Sequence, residues 1–333
     1  MRMALLFVLR QQLPDINQII NYRPMLITIL LLIFTVIVVP YVCISFGLNP
    51  NDVQDAILYQ MTISVGIVIA YCFLVGEVSK NNSQVDKIWS IIPIYYVWHM
   101  TAMGGMDPRM VLMSILVTIW GVRLTYNFAR RGAYQWKFWA GEEDYRWEAL
   151  RSRPGFNNKF VWMIFNLFFI SGYQSVLIFL FTLPILTSLG DGVNPALNWV
   201  DYLLAFIYVA CVVIEFIADQ QQYDFQQEKH RRLKAGEDLG EYSKGFVSSG
   251  LWSLVRHPNY LMEQTIWVVF YLYSVHATGD WINWSIGGCV LLIILFKGSS
   301  DFSEELSAGK YPAYKDYQAT TPRFIPFTKR KSN

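Results

Sequence analysis

At 333 residues, with 54% apolar, 16% aromatic and only 16% charged side chains, the chain has too little polar surface to clothe a water-soluble domain, where about a quarter of residues are charged. Its formal charge of +2 is small and no basic stripe alternates with aromatics, which excludes nucleic acid as an expected partner. Long apolar runs instead predict an all-α, polytopic transmembrane helical bundle embedded in a membrane.

In chain order, Met1 to Arg10 form a short apolar stretch closed by Arg10 with no small-residue cleavage site behind it, which reads as an interfacial lead-in and not as a signal peptide. Apolar runs follow at 25–47, 58–78, 88–103, 110–129, 160–189, 199–217, 261–277 and 282–297, giving about eight helices. Most approach the ~20 residues that cross ~30 Å of hydrocarbon. The fifth is long enough to tilt, or to break near Ser171-Gly172 or Pro184. Residues 1–84 are expected to form an N-terminal helical part and residues 85–333 the main domain with its loops and tail.

With both termini cytosolic, the inside segments 1–24, 79–87, 130–159, 218–260 and the tail from 298, together with Lys297, hold 25 of the 27 Lys and Arg. The outside loops hold Arg109 and the acidic Asp52, Asp55, Asp107, Asp191 and Asp280, and Arg123 lies inside the fourth helix. This asymmetry predicts an N-in, C-in protein. Cys43, Cys72, Cys211 and Cys289 fall within predicted spans without CxxC spacing, so they read as packing residues with no metal site or disulfide framework. No HExxH, P-loop or strand-linked GxGxxG is present.

Three inside segments are too long to be turns. Residues 130–159, rich in Trp, Tyr and both signs of charge, predict an amphipathic helix in the headgroups or a membrane-anchoring loop. With 218–260 and the tail they predict a cytosolic cap over a site.

Ionisable residues within a membrane helix need a reason. Arg123, Tyr126, Asn127 and Arg130 fall at helical spacing on the fourth helix, and Glu215, Asp219, Gln222 and Gln226 on the sixth. Either an Arg123–Glu215 ion pair holds the bundle together, or the two stripes line a ligand cavity. The amides beyond Asp219 exceed what one salt bridge requires.

Near the seventh helix, Pro258 suits the first helical position and leaves unpaired backbone N–H groups beside Arg256 and His257, a natural phosphate or carboxylate cradle. Tyr260, Glu263, Gln264 and Trp267 share one face beyond it. On the blander reading, Arg256 meets lipid headgroups and His257 makes a structural hydrogen bond.

The run Arg256-His-Pro-Asn-Tyr260 followed by Glu263, with Gly250-Leu-Trp252 before it and Glu304-Glu305, Tyr311-Pro312, Tyr314, Tyr317 and Phe324-Ile-Pro-Phe327 after it, resembles the carboxy-terminal domain of steroid 5-alpha-reductase-like membrane enzymes. Glu215-Phe-Ile-Ala-Asp219-Gln220, Trp120-Gly-Val-Arg123 and Glu143-Asp-Tyr-Arg-Trp147 are similar to an uncharacterised branch of that group, so the resemblance covers about residues 85–327. Isoprenylcysteine carboxyl methyltransferases share a closely similar box and tail. The resemblance implies a bundle whose later helices, including Arg123, Glu215, Asp219, Arg256, His257, Asn259, Tyr260, Glu263, Glu304 and Tyr314, hold NADPH, with Lys229, Arg231 or Arg232 meeting its 2′-phosphate. A hydrophobic lipid, sterol-like or isoprenoid substrate then enters from the membrane.

Reduction of a polarised double bond also needs a proton donor, for which Glu77, Asp86 and Tyr126 are the candidates. The alternative is an S-adenosylmethionine-dependent methyltransferase, with Glu263 and Glu304 facing the sulfonium and ribose and no proton donor required. A transporter or non-catalytic scaffold is a third possibility, opposed by polar stripes that lie toward the helix ends and not at the midplane.

Overall fold

The computed structural model describes residues 50–189 and 196–328, together with Ile37, Val38, Tyr41, Val42 and Ser45. The predicted run 25–47 falls mostly outside these residues, as do the lead-in, Cys43, Asp191 and the tail beyond Thr328. Among the described residues every regular element is helical.

Helix α1 (Asp52–Ser79) opens on a capping box in which Asn51 and Gln54 satisfy each other's backbone N–H groups, and it ends at Lys80 in the left-handed region. Short α2 (Gln84–Ile88) leads into α3 (Ile92–Met103), and Asp107 caps α4 (Pro108–Ala129), with Pro108 at its first position. After α5 (Tyr145–Arg151), α6 (Lys159–Phe165) passes through a π-helical stretch, Asn166–Tyr173, into α7 (Gln174–Thr182) and α8 (Pro184–Thr187). Helix α9 (Trp199–Ala235) follows, then α10 (Leu251–Leu254), α11 (Pro258–Thr278), α12 (Ile286–Lys310) and α13 (Tyr314–Thr320).

Among the described residues, five helical runs are long and apolar enough to cross a bilayer: α1, α4, the continuous α6–α8 run, α9 and α12. The protein therefore has a multi-pass membrane architecture. Helix α3, with 12 residues, rises only about 18 Å by itself. Helix α11 has the length, but Asn259, Glu263 and Gln264 dilute its apolar character. The interruption expected in the fifth run is present at both places: the π-helical stretch includes Ser171 and Gly172, and Pro184, which lacks an N–H, begins a separate turn.

Helices α9 and α11 make the most extensive pairing, and they run antiparallel, since Asp201 lies near His276 at one end and Asp219 bonds Asn259 at the other. Helices α3 and α4 are likewise antiparallel, joined by Thr101–Ser114 and Ser90–Thr125 hydroxyl bonds. Close approach replaces apolar driving force between membrane helices. A Cβ at Gly288 of α12 would sit 2.2–2.3 Å from the Leu180–Phe181 backbone, and one at Gly121 of α4 would sit 2.5 Å from the Ser90 carbonyl. Between them Trp267 packs against Trp120 at 4.9 Å and Phe181 at 4.0 Å. Cys72, Cys211 and Cys289 are free and buried.

Segments 80–87, 130–158, 236–257 and 311–328 gather at one end of the bundle as a cap. The amphipathic helix expected over 130–159 is not formed: only α5 is helical between Gly132 and Asn158, because Gly132, Gly141 and Gly155 take left-handed φ values of 85°, 108° and 93°. The loop is held instead by polar bonds. Fully buried Lys87 donates to the carbonyls of Phe138 and Ala140, Tyr134 donates to the Lys87 carbonyl, and Asn81 and Gln84 donate to Gly141 and Trp139.

Candidate functional site

Helices α4, α9 and α11 converge on one guanidinium. Arg123 Nη2 lies 2.6 Å from Glu215 Oε2 and 3.6 Å from Glu263 Oε2, while Nη1 donates to Asp219 Oδ2 at 3.0 Å. The Arg123–Glu215 pair expected from spacing is thus present, within a cluster of one cation and three carboxylates. All four side chains are at least nine-tenths buried. Asn127 and Asn259 donate to the two oxygens of Asp219 at 2.8 and 3.2 Å. The indoles of Trp120 and Trp267 clamp Glu263 at 2.8 and 3.1 Å.

Two of these partners, Trp120 and Trp267, were not among the expected site residues. Their signal was available: Trp120 precedes Arg123 by three positions and Trp267 follows Glu263 by four, the spacings that share a helix face. The cluster also holds unpaired polar atoms. Arg123 Nε and the hydroxyl of fully buried Tyr208 have no hydrogen-bond partner among the described residues, whereas Arg123 Nη2 and Glu215 Oε2 face each other at 2.6 Å. Buried polar groups are nearly always paired, so these two atoms make the cluster a candidate site for a ligand or water.

The stripes diverge from the expected lines at two points. Tyr126, three residues after Arg123, turns outward and is 55% exposed, its ring near Phe216 and Arg130. On α9 Gln226 of the expected stripe donates to the Gly245 carbonyl at 3.4 Å, and Gln220 and Gln221 beside the stripe bond Arg130 and the Leu251 N–H.

Under the cap lies a second acidic group. Asp144 caps α5 and is gripped by Arg146 through two bonds of 2.8 Å. Burial opposes its charge, but the Arg146 guanidinium prevails and holds Asp144 below the usual carboxylate range. Asp86 accepts from the Trp147 indole at 2.9 Å. Burial, and then the neighbouring Asp144 charge, push Asp86 above the usual range despite Arg146. Tyr260 stands within electrostatic reach of Arg146 and follows Asn259, so it lies between the two acidic groups. Its ring stacks on His257 and meets Phe296 edge-on.

The start of α11 is tied to the tail. Arg256 engages Glu304 at 2.8 and 3.1 Å and donates to the carbonyls of Gln318 and Thr321, so all three guanidinium nitrogens are committed. His257 meets the same Glu304 at 2.9 Å, and the N–H groups of Arg256 and His257 bond the carbonyls of Pro322 and Arg323. Tyr314 is buried with Phe246 and Tyr317 in a small aromatic core of the cap. Lys229 donates to the Gly245 carbonyl, Arg231 is paired with Glu228 and Glu237, and Arg232 with Glu228. Glu77 accepts from Asn166 of the π-helical stretch at 2.7 Å and makes no bond to the Arg123 cluster.

Residues 72–321 match the family model described as a protein of unknown function, DUF1295. The chain is also 33% identical over 282 residues, covering 79% of each chain, to an uncharacterised protein of Schizosaccharomyces pombe. No solved structure matches it significantly. The matched span contains the Arg123 cluster, the Asp86–Asp144 group and the Arg256–Glu304 tie alike, and the chain belongs to the DUF1295 family.

Proposed function

We propose that the protein is an NADPH-dependent membrane reductase that saturates a polarised double bond of a hydrophobic, sterol-like or isoprenoid lipid. The observation that carries this reading is Asp86, which accepts from the Trp147 indole next to the Asp144–Arg146 pair and whose carboxyl is pushed above the usual range by burial and by the Asp144 charge. Reduction of an enone ends with protonation of a carbon, and a carboxyl with a raised pKa is a fitting donor. Methyl transfer needs no such group. The resemblance of the Arg256–Glu263 and Glu304–Tyr317 segments to steroid 5-alpha-reductase-like enzymes supports the same class.

The residues fit part of the cofactor. NADPH, when bound, supplies the hydride. Unpaired Arg123 Nε and the Tyr208 hydroxyl suit its uncharged carboxamide and ribose hydroxyls, with Glu215, Asn259 and Asp219 beside them. The surplus of carboxylates repels phosphate, and Arg256 is spent on Glu304, so its role is to fasten the tail over the start of α11. In this scheme Asp86 holds the proton that the substrate carbon takes up, while Arg146 keeps Asp144 ionised beside it. One observation favours the second reading. Three carboxylates about one guanidinium also complement a sulfonium cation, as in a methyltransferase using S-adenosylmethionine.

A ligand that binds only the folded state raises its stability by RT ln(1 + [L]/Kd), so thermal melting of the purified protein reports binding before a substrate is known. NADPH should raise the melting temperature, and S-adenosylhomocysteine should not. Stabilisation by S-adenosylhomocysteine alone transfers the reading to the methyltransferase, and silence from both removes both. The excess of basic residues in the cap supports a cytosolic location, under which cysteines introduced at Glu143 and Glu237 should react with an impermeant thiol reagent only from that side.

A further inference from the structure

Arg123 belongs to a second feature besides the carboxylate cluster. Between α4 and α9, Thr118, Ile119, Val122, Arg123, Tyr126 and Phe216 line a groove of about 500 Å³. Its walls are exposed, at 60% for Val122, 42% for Ile119 and 37% for Phe216, and they belong to two helices long enough to cross a bilayer, so they face lipid. Arg123, held from behind by its three carboxylates, is the charged residue that the groove wall carries.

The state of that cation is informative. Its side chain is 7% exposed, Nη1 is bonded to Asp219, Nη2 lies against Glu215, and buried Nε donates to nothing among the described residues. An unpaired charged donor in an apolar setting is costly, so an acceptor supplied through the groove would relieve it. The sign of the charge restricts that acceptor. One guanidinium already faces three carboxylates, and a fourth anion would be repelled. Depth restricts it further: Arg123 lies six residues before the end of α4, about 9 Å below the cap end.

We infer that this groove is the lateral portal and binding site for a neutral membrane lipid. Its apolar chain lies along Ile119, Val122 and Phe216, and one carbonyl or hydroxyl oxygen accepts from Arg123 Nε. Phosphate- or carboxylate-headed lipids are disfavoured. Tyr126, outward-facing on the groove wall, guides the chain and does not donate a proton. The inference names the path of the lipid substrate and in that sense rests on the proposed reductase reading, but the binding itself requires no cofactor.

The test is photolabelling of the full-length protein in detergent micelles with a long-chain diazirine alcohol, mapped by peptide mass spectrometry. Label should concentrate on peptides containing Ile119–Tyr126 and Phe216. Excess plain alcohol should reduce it about tenfold or more, and the matching long-chain carboxylic acid should reduce it little. Val122→Trp, which fills the groove, should abolish the competed label while the melting temperature and helical circular dichroism stay unchanged. Label spread evenly onto Ile63 and Ile67 of α1, or equal competition by the acid, would overturn the inference. So would cross-linking of a photoreactive residue at Ile119 to segment 25–47, because the chain itself would then cover the groove. Because no NADPH is present, labelling that survives a failed NADPH melting shift removes the reductase reading and leaves the lipid site standing.

Discussion

Two buried ion-pair sites join α4 to α9, one toward each end of the bundle, and they differ in stoichiometry. Near the start of both helices Arg109 meets one carboxylate, Asp201, Nε to Oδ1 at 2.7 Å and Nη2 to Oδ2 at 3.3 Å, and that carboxylate also accepts the Asn198 N–H that completes the helix cap and lies 3.8 Å from His276. Toward the cap, Arg123 meets Glu215, Asp219 and Glu263 together and leaves polar atoms unpaired. A one-to-one pair with its acceptors filled is sufficient to fix helix register. A surplus of two carboxylates costs desolvation beyond what fixing helix register requires, which supports the proposal that the Arg123 cluster is kept for a ligand.

The comparison can be broken by mutation. Arg109→Met strands a buried Asp201 and should cost about 3–5 kcal/mol in denaturant unfolding from micelles, with the NADPH response of the remaining folded protein intact. Loss of that response would show the Arg109 pair to be more than structural. Asp86→Asn removes the proposed donor and should slow reduction about 100-fold or more. The sign of the pH effect follows from its raised value: the protonated form is present below that value, so wild-type turnover falls as pH rises through it, and this limb disappears in Asp86→Asn. Asp144 behaves oppositely, contributing stability above the ordinary carboxylate range that is lost as pH falls through its lowered value. An unchanged pH profile in Asp86→Asn would assign the proton to another group. A double-mutant cycle on Arg123→Met and Glu215→Gln should give a coupling of about 1–3 kcal/mol, and additive losses would remove that contact from the cluster. The smallest effect belongs to Arg231→Ala. Its partners Glu228 and Glu237 lie on the protein surface, and neither stability nor NADPH binding should change measurably.

Local spacing made much of this legible in the sequence. Arg123 with Asn127, Glu215 with Asp219 and Asn259 with Glu263 each stand four apart, and four residues return to the same helix face. Three residues do not return as closely, and at the edge of a buried stripe that offset is enough to turn Tyr126 to the lipid side. Arg256 illustrates the other limit. Its partners Glu304, Gln318 and Thr321 lie 48, 62 and 65 positions away, and only the folded tail brings them to it. The cap loop, whose sequence suits a helix and a loop equally, meets a related limit. Its aromatic and charged residues suit an amphipathic helix, but glycines at left-handed φ and non-local carbonyl bonds to Lys87 and Gln84 decide its path.

The central claim is that the Arg123 cluster binds a ligand while the Arg109 pair only joins helices, and Glu215→Gln tests it most directly. Wild-type protein at a hundredfold excess of NADPH over Kd should gain about 2.7 kcal/mol of stability. Glu215→Gln relieves part of the carboxylate surplus, so the unliganded variant should melt within about 1 kcal/mol of wild type, or above it. Its NADPH shift should nevertheless be largely lost. A full NADPH shift in Glu215→Gln, with a severe loss of unliganded stability, would contradict the account and make the cluster a structural pair like Arg109–Asp201.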